Sequence, residues 1–236
     1  MPVVAIDSFH EHLDPIPEGT AIVAVDVIRA TTTAVTAAAM GRRIYPVDSI
    51  EAAVRLADDL ERPILSGELG GVQPYGFHLQ NSPSQIADLE RSSRPIILLS
   101  TSGTRLIAEA GRYGRTYLCC LRNAAAQAAH LARLGTDVMV FGAATRGEFR
   151  EEDQLCAARV ARDLLRHGYG VASASTGEVI ERFGDAPDDV ILGGRSATYL
   201  RETGQERDLA FVLEHVDDLD AVFVIDEGVV RALPPR

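Results

Sequence analysis

The sequence predicts an α/β fold, built as one elaborated domain over residues 1–236. Two patterns point to it. Short apolar runs of strand length recur along the chain and read as strands covered on both faces. Between them lie stretches of helical periodicity, and the strand-to-helix junctions are loops rich in Gly, Ser, Thr and Asn. With 46% hydrophobic residues the chain has enough apolar material for a large core. No linker, repeat or low-complexity tract divides it.

Val3–Ile6 is the first expected strand, followed by a polar loop with His10 and His12, read as solvent-exposed. Ile22–Val25 is an apolar strand that ends at Asp26 and Arg29 and runs into Thr31, Thr32 and Thr33 and an Ala-rich helix to Met40; a threonine is the expected N-cap. Free amides and the helix dipole at such a junction favour an anion. Arg43–Val47 is a strand, and Ser49 caps a helix through Leu60 with Ile50, Val54 and Ala57 on one face. Pro63–Leu65 starts another strand. The loop Ser66–Ser82 lacks apolar periodicity and holds Glu68, His78 and Asn81; its length suggests function. Ser82-Pro83 opens a helix to about Leu89.

Pro95–Leu99 is a strand, and Ser100–Thr104 opens a second hydroxyl-rich junction resembling a phosphate cradle. Thr116–Leu121 is a strand, Asn123 caps a helix to Leu134, and Asp137–Phe141 is a strand. Glu151, Glu152 and Asp153 precede a helix to about His167; they read either as dipole complements or as metal carboxylates. Helical runs near Ser196 and Asp208, a late strand Ala221–Ile225 and a tail VRALPPR complete the chain.

The formal charge of −11 argues against nucleic acid as a partner. No apolar run reaches the ~20 residues of a membrane span, and no signal segment is apparent, so a cytoplasmic protein is expected. Cys119, Cys120 and Cys156 form no ligand spacing and read as core thiols of a reducing compartment. Cys156 to Arg162 spells C-x5-R, but the intervening residues are helix formers without glycine and cannot wrap a phosphate. Ile28 stands where an aspartyl-phosphate enzyme needs a second Asp. GxSxG, HExxH, GxGxxG and the Walker loop are absent. What remains is convergence at strand ends. Asp26, Glu68 and Glu152 or Asp153 are hard ligands suited to Mg²⁺. Arg29, Thr31, Asn81, Ser82, Thr101, Ser102 and Asn123 are anion donors.

DVIRATTT (26–33), GELGG with GFHLQNSP (67–83), TSGT (101–104), LRNAAAQA (121–128) and EEDQLCAAR (151–159) occur in this order. Together they resemble the 2-phosphosulfolactate phosphatase, or ComB, family. The resemblance implies a mixed sheet with flanking helices. It implies Mg²⁺-dependent hydrolysis of 2-phospho-3-sulfolactate to 3-sulfolactate and phosphate, a step towards coenzyme M. Carried over by motif, Asp26, Arg29 and Glu68 are catalytic, and Asp26, Glu68, Glu152 and Asp153 are metal ligands. Thr31, Thr32, Asn81, Ser82, Thr101, Ser102, Gly103 and Asn123 contact a small anionic phosphorylated substrate. Leu69 departs from the family pattern, in which a basic residue commonly follows the Gly-Glu pair, and His78 lies in an altered loop as a candidate substrate contact. Two alternatives stand: a phosphatase for another small phosphorylated carboxylic acid, and a non-catalytic anion-binding protein. A homodimer is the expected assembly.

Overall fold

The computed structural model describes residues 1–9, 16–90, 92–144 and 148–234. His10 and His12 lie outside the described residues.

Ten strands form one mixed sheet. They are β1 (Val3–Phe9), β2 (Ala21–Val25), β3 (Ile44–Val47), β4 (Ile64–Gly67), β5 (Ile96–Leu99), β6 (Thr116–Cys119), β7 (Val138–Ala143), β8 (Gly170–Val171), β9 (Phe223–Asp226) and β10 (Val229–Ala232). Their order is β4-β5-β3-β10-β9-β6-β2-β7-β1-β8. β4, β5 and β3 are mutually parallel, as are β6, β2, β7, β1 and β8. The antiparallel hairpin β9–β10 separates these blocks.

The helices are α1 (Ala30–Ala39), α2 (Ile50–Asp59), α3 (Pro83–Ala87), α4 (Gly103–Ala110), α5 (Ala124–Leu134), α6 (Glu151–Arg166), α7 (Ala174–Phe183), α8 (Arg195–Glu202) and α9 (Glu206–Glu214). β2 shows how the faces are covered. Val23 and Val25 join the core under α5 and α6, while Ile22 and Ala24 join the core under α1 and α4. This two-sided burial is why the strand reads as a continuous apolar run. α1 is buried nearly all round, and its Ala and Thr side chains let it pass close over the sheet.

The structure departs from three expectations about elements. Val54 is exposed, because α2 turns Ile50, Ala53 and Ala57 inward on a stripe one residue away. Asn123 makes no cap hydrogen bond to α5. The segment read as a tail supplies β10 inside the sheet, pairing with β9 and β3. Its turn, Glu227-Gly228, has positive φ at both residues, the conformation of a two-residue hairpin whose twist matches the strands.

The two parallel blocks are joined through three antiparallel pairings, so they run in opposite senses through the sheet. The loops after β2 and β5 meet on one side of the sheet, where Gly103 packs against Asp26 and Ala30.

Candidate active site

The β2–α1 turn is held by its own threonines. Thr31 Oγ1 accepts from the Asp26 amide at 2.9 Å and donates to the Asp26 carbonyl at 2.8 Å. Thr32 Oγ1 donates to the Val27 carbonyl at 2.7 Å. Neither threonine is the N-cap; Arg29 occupies that position. Thr31 and Thr32 are buried and do not line the cavity described below; their hydroxyls hold the turn that carries Asp26. Gly103 is likewise a packing residue. A Cβ there would overlap the Asp26 carboxylate and the Ala30 side chain, so only glycine lets the start of α4 close on Asp26.

Glu68 joins two loops. Its Oε1 accepts from the Thr101 amide, and its Oε2 accepts from Thr101 Oγ1 and the Gly71 amide, each at 2.7 Å. Thr101 Oγ1 also accepts from the Gly70 amide at 2.7 Å. Both carboxylate oxygens and the threonine hydroxyl are thus engaged within the chain. Ser82 caps α3, its Oγ accepting from the Gln85 amide at 3.2 Å, and stands away from the cavity lining. His78 Nδ1 accepts from the Leu65 amide at 3.0 Å, which secures β4, and His78 does not line the cavity. Asn123 accepts from the Cys120 amide and donates to the Leu118 carbonyl, shaping the turn after β6 far from the cavity lining.

One cavity of about 1150 Å³ gathers Asp26, Arg29, Glu68, Asn81, Thr101, Ser102 and Asp153. The sequence reading missed Arg105, Arg150 and Arg195, which line it as well, with Ser196 and Tyr199 of α8 opposite the glycine loop. Arg29 and Arg150 are the N-cap residues of α1 and α6, Arg195 opens α8, and Arg105 lies in the first turn of α4. A cation at a helix N-terminus opposes the dipole by about 0.3–1 kcal/mol. Four such arginines facing one cavity are a signal legible in the sequence once helix starts are known. They set guanidinium donors into a cavity that also holds Asp26, Glu68, Glu148 and Asp153. Arg195 and Arg150 both reach Glu148.

The acidic side of the cavity is crowded. Burial pushes the Asp26 carboxyl up to about 7, reinforced by Glu68 and Glu152 and opposed by the Ala30 amide and Arg29. Burial also pushes Asp153 well above the usual carboxylate range, with Asp26 and Glu152 adding to it. Asp153 Oδ1 accepts from the Val27 amide at 2.8 Å and so ties α6 to the β2–α1 turn. Glu152 is buried behind the wall rather than lining it; burial raises its pKa while Ser196 partly offsets this. Its Oε2 is a buried acceptor without a partner among the described residues.

Among the described residues no three His, Cys, Asp or Glu side chains form a ready metal cage. The donor set still fits Mg²⁺, which keeps several waters and takes one or two carboxylates plus substrate oxygens. Asp26 and Asp153 are the pair whose mutual repulsion a dication would relieve. Glu68 also lines the cavity while accepting three hydrogen bonds from its loops, and Glu152 lies outside the cavity lining.

The cysteines are free and buried, with Cys119 and Cys156 Sγ 3.8 Å apart between β6 and α6. Arg162 pairs with Asp185, so C-x5-R forms no anion loop. No described helix is long and apolar enough to cross a membrane.

A model of the 2-phosphosulpholactate phosphatase family matches residues 7–228. A probable 2-phosphosulfolactate phosphatase of Symbiobacterium thermophilum is 33% identical over 222 residues, 91% of this chain and 95% of the relative. Another, of Carboxydothermus hydrogenoformans, is 39% identical over 137 residues, 58% of this chain and 57% of the relative. A third, of Thermotoga maritima, is 31% identical over 198 residues, 84% of this chain and 85% of the relative.

Proposed function

From membership of the 2-phosphosulpholactate phosphatase family, to which this chain belongs, we propose that it hydrolyses 2-phospho-3-sulfolactate to 3-sulfolactate and phosphate with Mg²⁺. The observation that carries this reading is the placement of four helix-start arginines around a cavity whose floor holds Asp26 and Asp153. A substrate with phosphate, carboxylate and sulfonate groups presents several anions at once. Such a wall of fork-shaped donors suits it better than a single phosphate cradle would.

Asp26 and Asp153 would hold the Mg²⁺, which when bound supplies neutralisation of phosphoryl charge. The chain's own groups do the rest. Arg29, whose charge acts on Asp26, and Arg105 of the same cavity hold the non-bridging phosphoryl oxygens, stabilising charge as the ester P–O bond breaks. Arg150 and Arg195, which pair with Glu148, receive the carboxylate and sulfonate. Asn81 Oδ1, a buried acceptor without a partner among the described residues, orients an attacking water or the leaving hydroxyl. The product 3-sulfolactate would feed coenzyme M formation.

The test is phosphate release from racemic 2-phospho-3-sulfolactate and from phospholactate, each with Mg²⁺ and with EDTA. Mg²⁺-dependent release favouring the sulfonate is expected. Preference for phospholactate would keep the phosphatase and remove the sulfonate. No release from either by folded protein would overturn the proposal.

A further inference from the structure

We infer that Asp208, on α9, is a positioning residue that sets the guanidinium of Arg29 for anion binding, an inference that rests on the phosphatase reading above. Arg29 lines the cavity; Asp208 does not. Both are buried, Arg29 to 5% exposure and Asp208 to 3%. Arg29 NH1 donates to Asp208 Oδ2 and to Gln205 Oε1, each at 2.6 Å. The opposite oxygen, Asp208 Oδ1, accepts from Ser82 Oγ and Ser84 Oγ at 2.6 Å and from the Ser84 amide at 3.2 Å. The two oxygens of Asp208 therefore serve different segments. One grips the β2–α1 turn through Arg29, and the other grips the end of the loop that begins at Glu68.

The pairing consumes a single guanidinium nitrogen. Arg29 Nε and NH2 have no hydrogen-bond partner among the described residues, and their donors are left for a ligand. A guanidinium is planar, so fixing NH1 with two acceptors fixes the direction of the remaining fork. A buried ion pair is weak evidence of stabilisation, because desolvation offsets the attraction. Orientation of a charged donor is what this arrangement supplies. It also answers why the C-terminal third of the chain belongs to the site. α9 reaches a residue almost 180 positions earlier and holds it from behind.

The experiment is a double-mutant cycle with Asp208→Asn, Arg29→Gln and the double variant. It measures phosphate release from 2-phospho-3-sulfolactate, inorganic phosphate affinity by calorimetry, and melting temperature. Asp208→Asn is expected to lower kcat/KM about 10- to 100-fold and to weaken phosphate binding, the scale of a misplaced binding group. In the Arg29→Gln background it should cost less than about twofold, because the residue it orients is gone. The double variant should melt above either single variant, since no uncompensated charge remains buried. Should Asp208→Asn not fold, Ser84→Ala keeps the charge pair and removes one grip on Oδ1; it should lose activity in the same direction by a smaller factor. Equal losses in the wild-type and Arg29→Gln backgrounds would mean a general structural role and overturn the inference. So would unchanged phosphate affinity in Asp208→Asn. Wild-type protein that binds phosphate but releases none would sink the phosphatase reading alone, and the affinity cycle would still decide the role of Asp208. Wild-type protein that binds no phosphate would overturn both.

Discussion

Asp26 is a carboxyl group that the fold makes costly to ionise. It is buried, faces other acids and is anchored by Thr31 through its backbone rather than its side chain. Replacing it with Asn should abolish turnover while removing an unfavourable buried charge. Differential scanning calorimetry of the metal-free proteins at pH 7.5 should then show Asp26→Asn melting roughly 2–6 °C above wild type, for ~1–2 kcal/mol of relief in a chain of this size. An active Asp26→Asn enzyme would remove this residue from the chemistry. Glu68 behaves differently, because its oxygens accept three hydrogen bonds from two loops. Glu68→Gln replaces one acceptor with a donor facing other donors. It should cost stability on the order of 1–3 kcal/mol as well as activity, read by urea titration beside the phosphate assay.

At the scale of elements, the site depends on how closely α4 approaches the β2–α1 turn. Gly103→Ala would drive a methyl group into the Asp26 carboxylate and Ala30. An overpacked contact costs about 1–3 kcal/mol, and here the movement falls on the reacting centre. Phosphate release should fall at least tenfold while far-UV circular dichroism stays native. Helix starts also explain the difference between what was expected and what was found. Pro83 behind Ser82 and the Ser49 cap mark their helices locally, and both caps form as anticipated. The threonines after Asp26 look like caps but bond backward to Asp26 and Val27, because a bulky Arg29 already occupies the N-cap. Arg105, Arg150 and Arg195 lie on three different helices, and no local pattern in the chain announces that these helix starts face one another.

For the whole molecule, the hairpin β9–β10 is the joint between two parallel blocks. Removing residues 229–236 would expose the unpaired edges of β3 and β9 in the middle of the sheet. The truncated chain should be insoluble or unfold without cooperativity by thermal denaturation. The acidic floor gives the molecule a pH dependence. Burial holds the folded pKa of Asp26 above the ordinary carboxylate range, at about 7, and those of Glu152 and Asp153 are raised as well. The native state therefore holds more protons than the unfolded chain between about pH 4 and 7, and metal-free stability declines as pH rises through that window. Melting temperature in EDTA should be higher at pH 5.5 than at 7.5. Added Mg²⁺ should raise it more at pH 7.5, because binding must displace those protons. A flat profile, or equal Mg²⁺ effects at the two pH values, would contradict the assignment of Asp26 and Asp153.

The amino-acid sequence by itself determined the α/β class, most strand and helix positions, the family, and the choice of Asp26, Glu68, Thr101 and Asp153, which the fold gathers in one cavity. These follow from local chemistry: apolar runs buried on both faces, hydroxyl caps, and motifs contiguous in the chain. Only the tertiary structure decided that the side chains of Thr31, Thr32, Ser82 and Asn123 bond within the frame and Gly103 packs on Asp26, that β10 sits inside the sheet, that Arg105, Arg150 and Arg195 line the cavity, and that Asp208 pairs with Arg29. The physical reason is that a hydroxyl or guanidinium has the same composition whether it faces a ligand or a backbone carbonyl. Which one it faces is settled by strand order and twist, which bring together residues far apart in the chain.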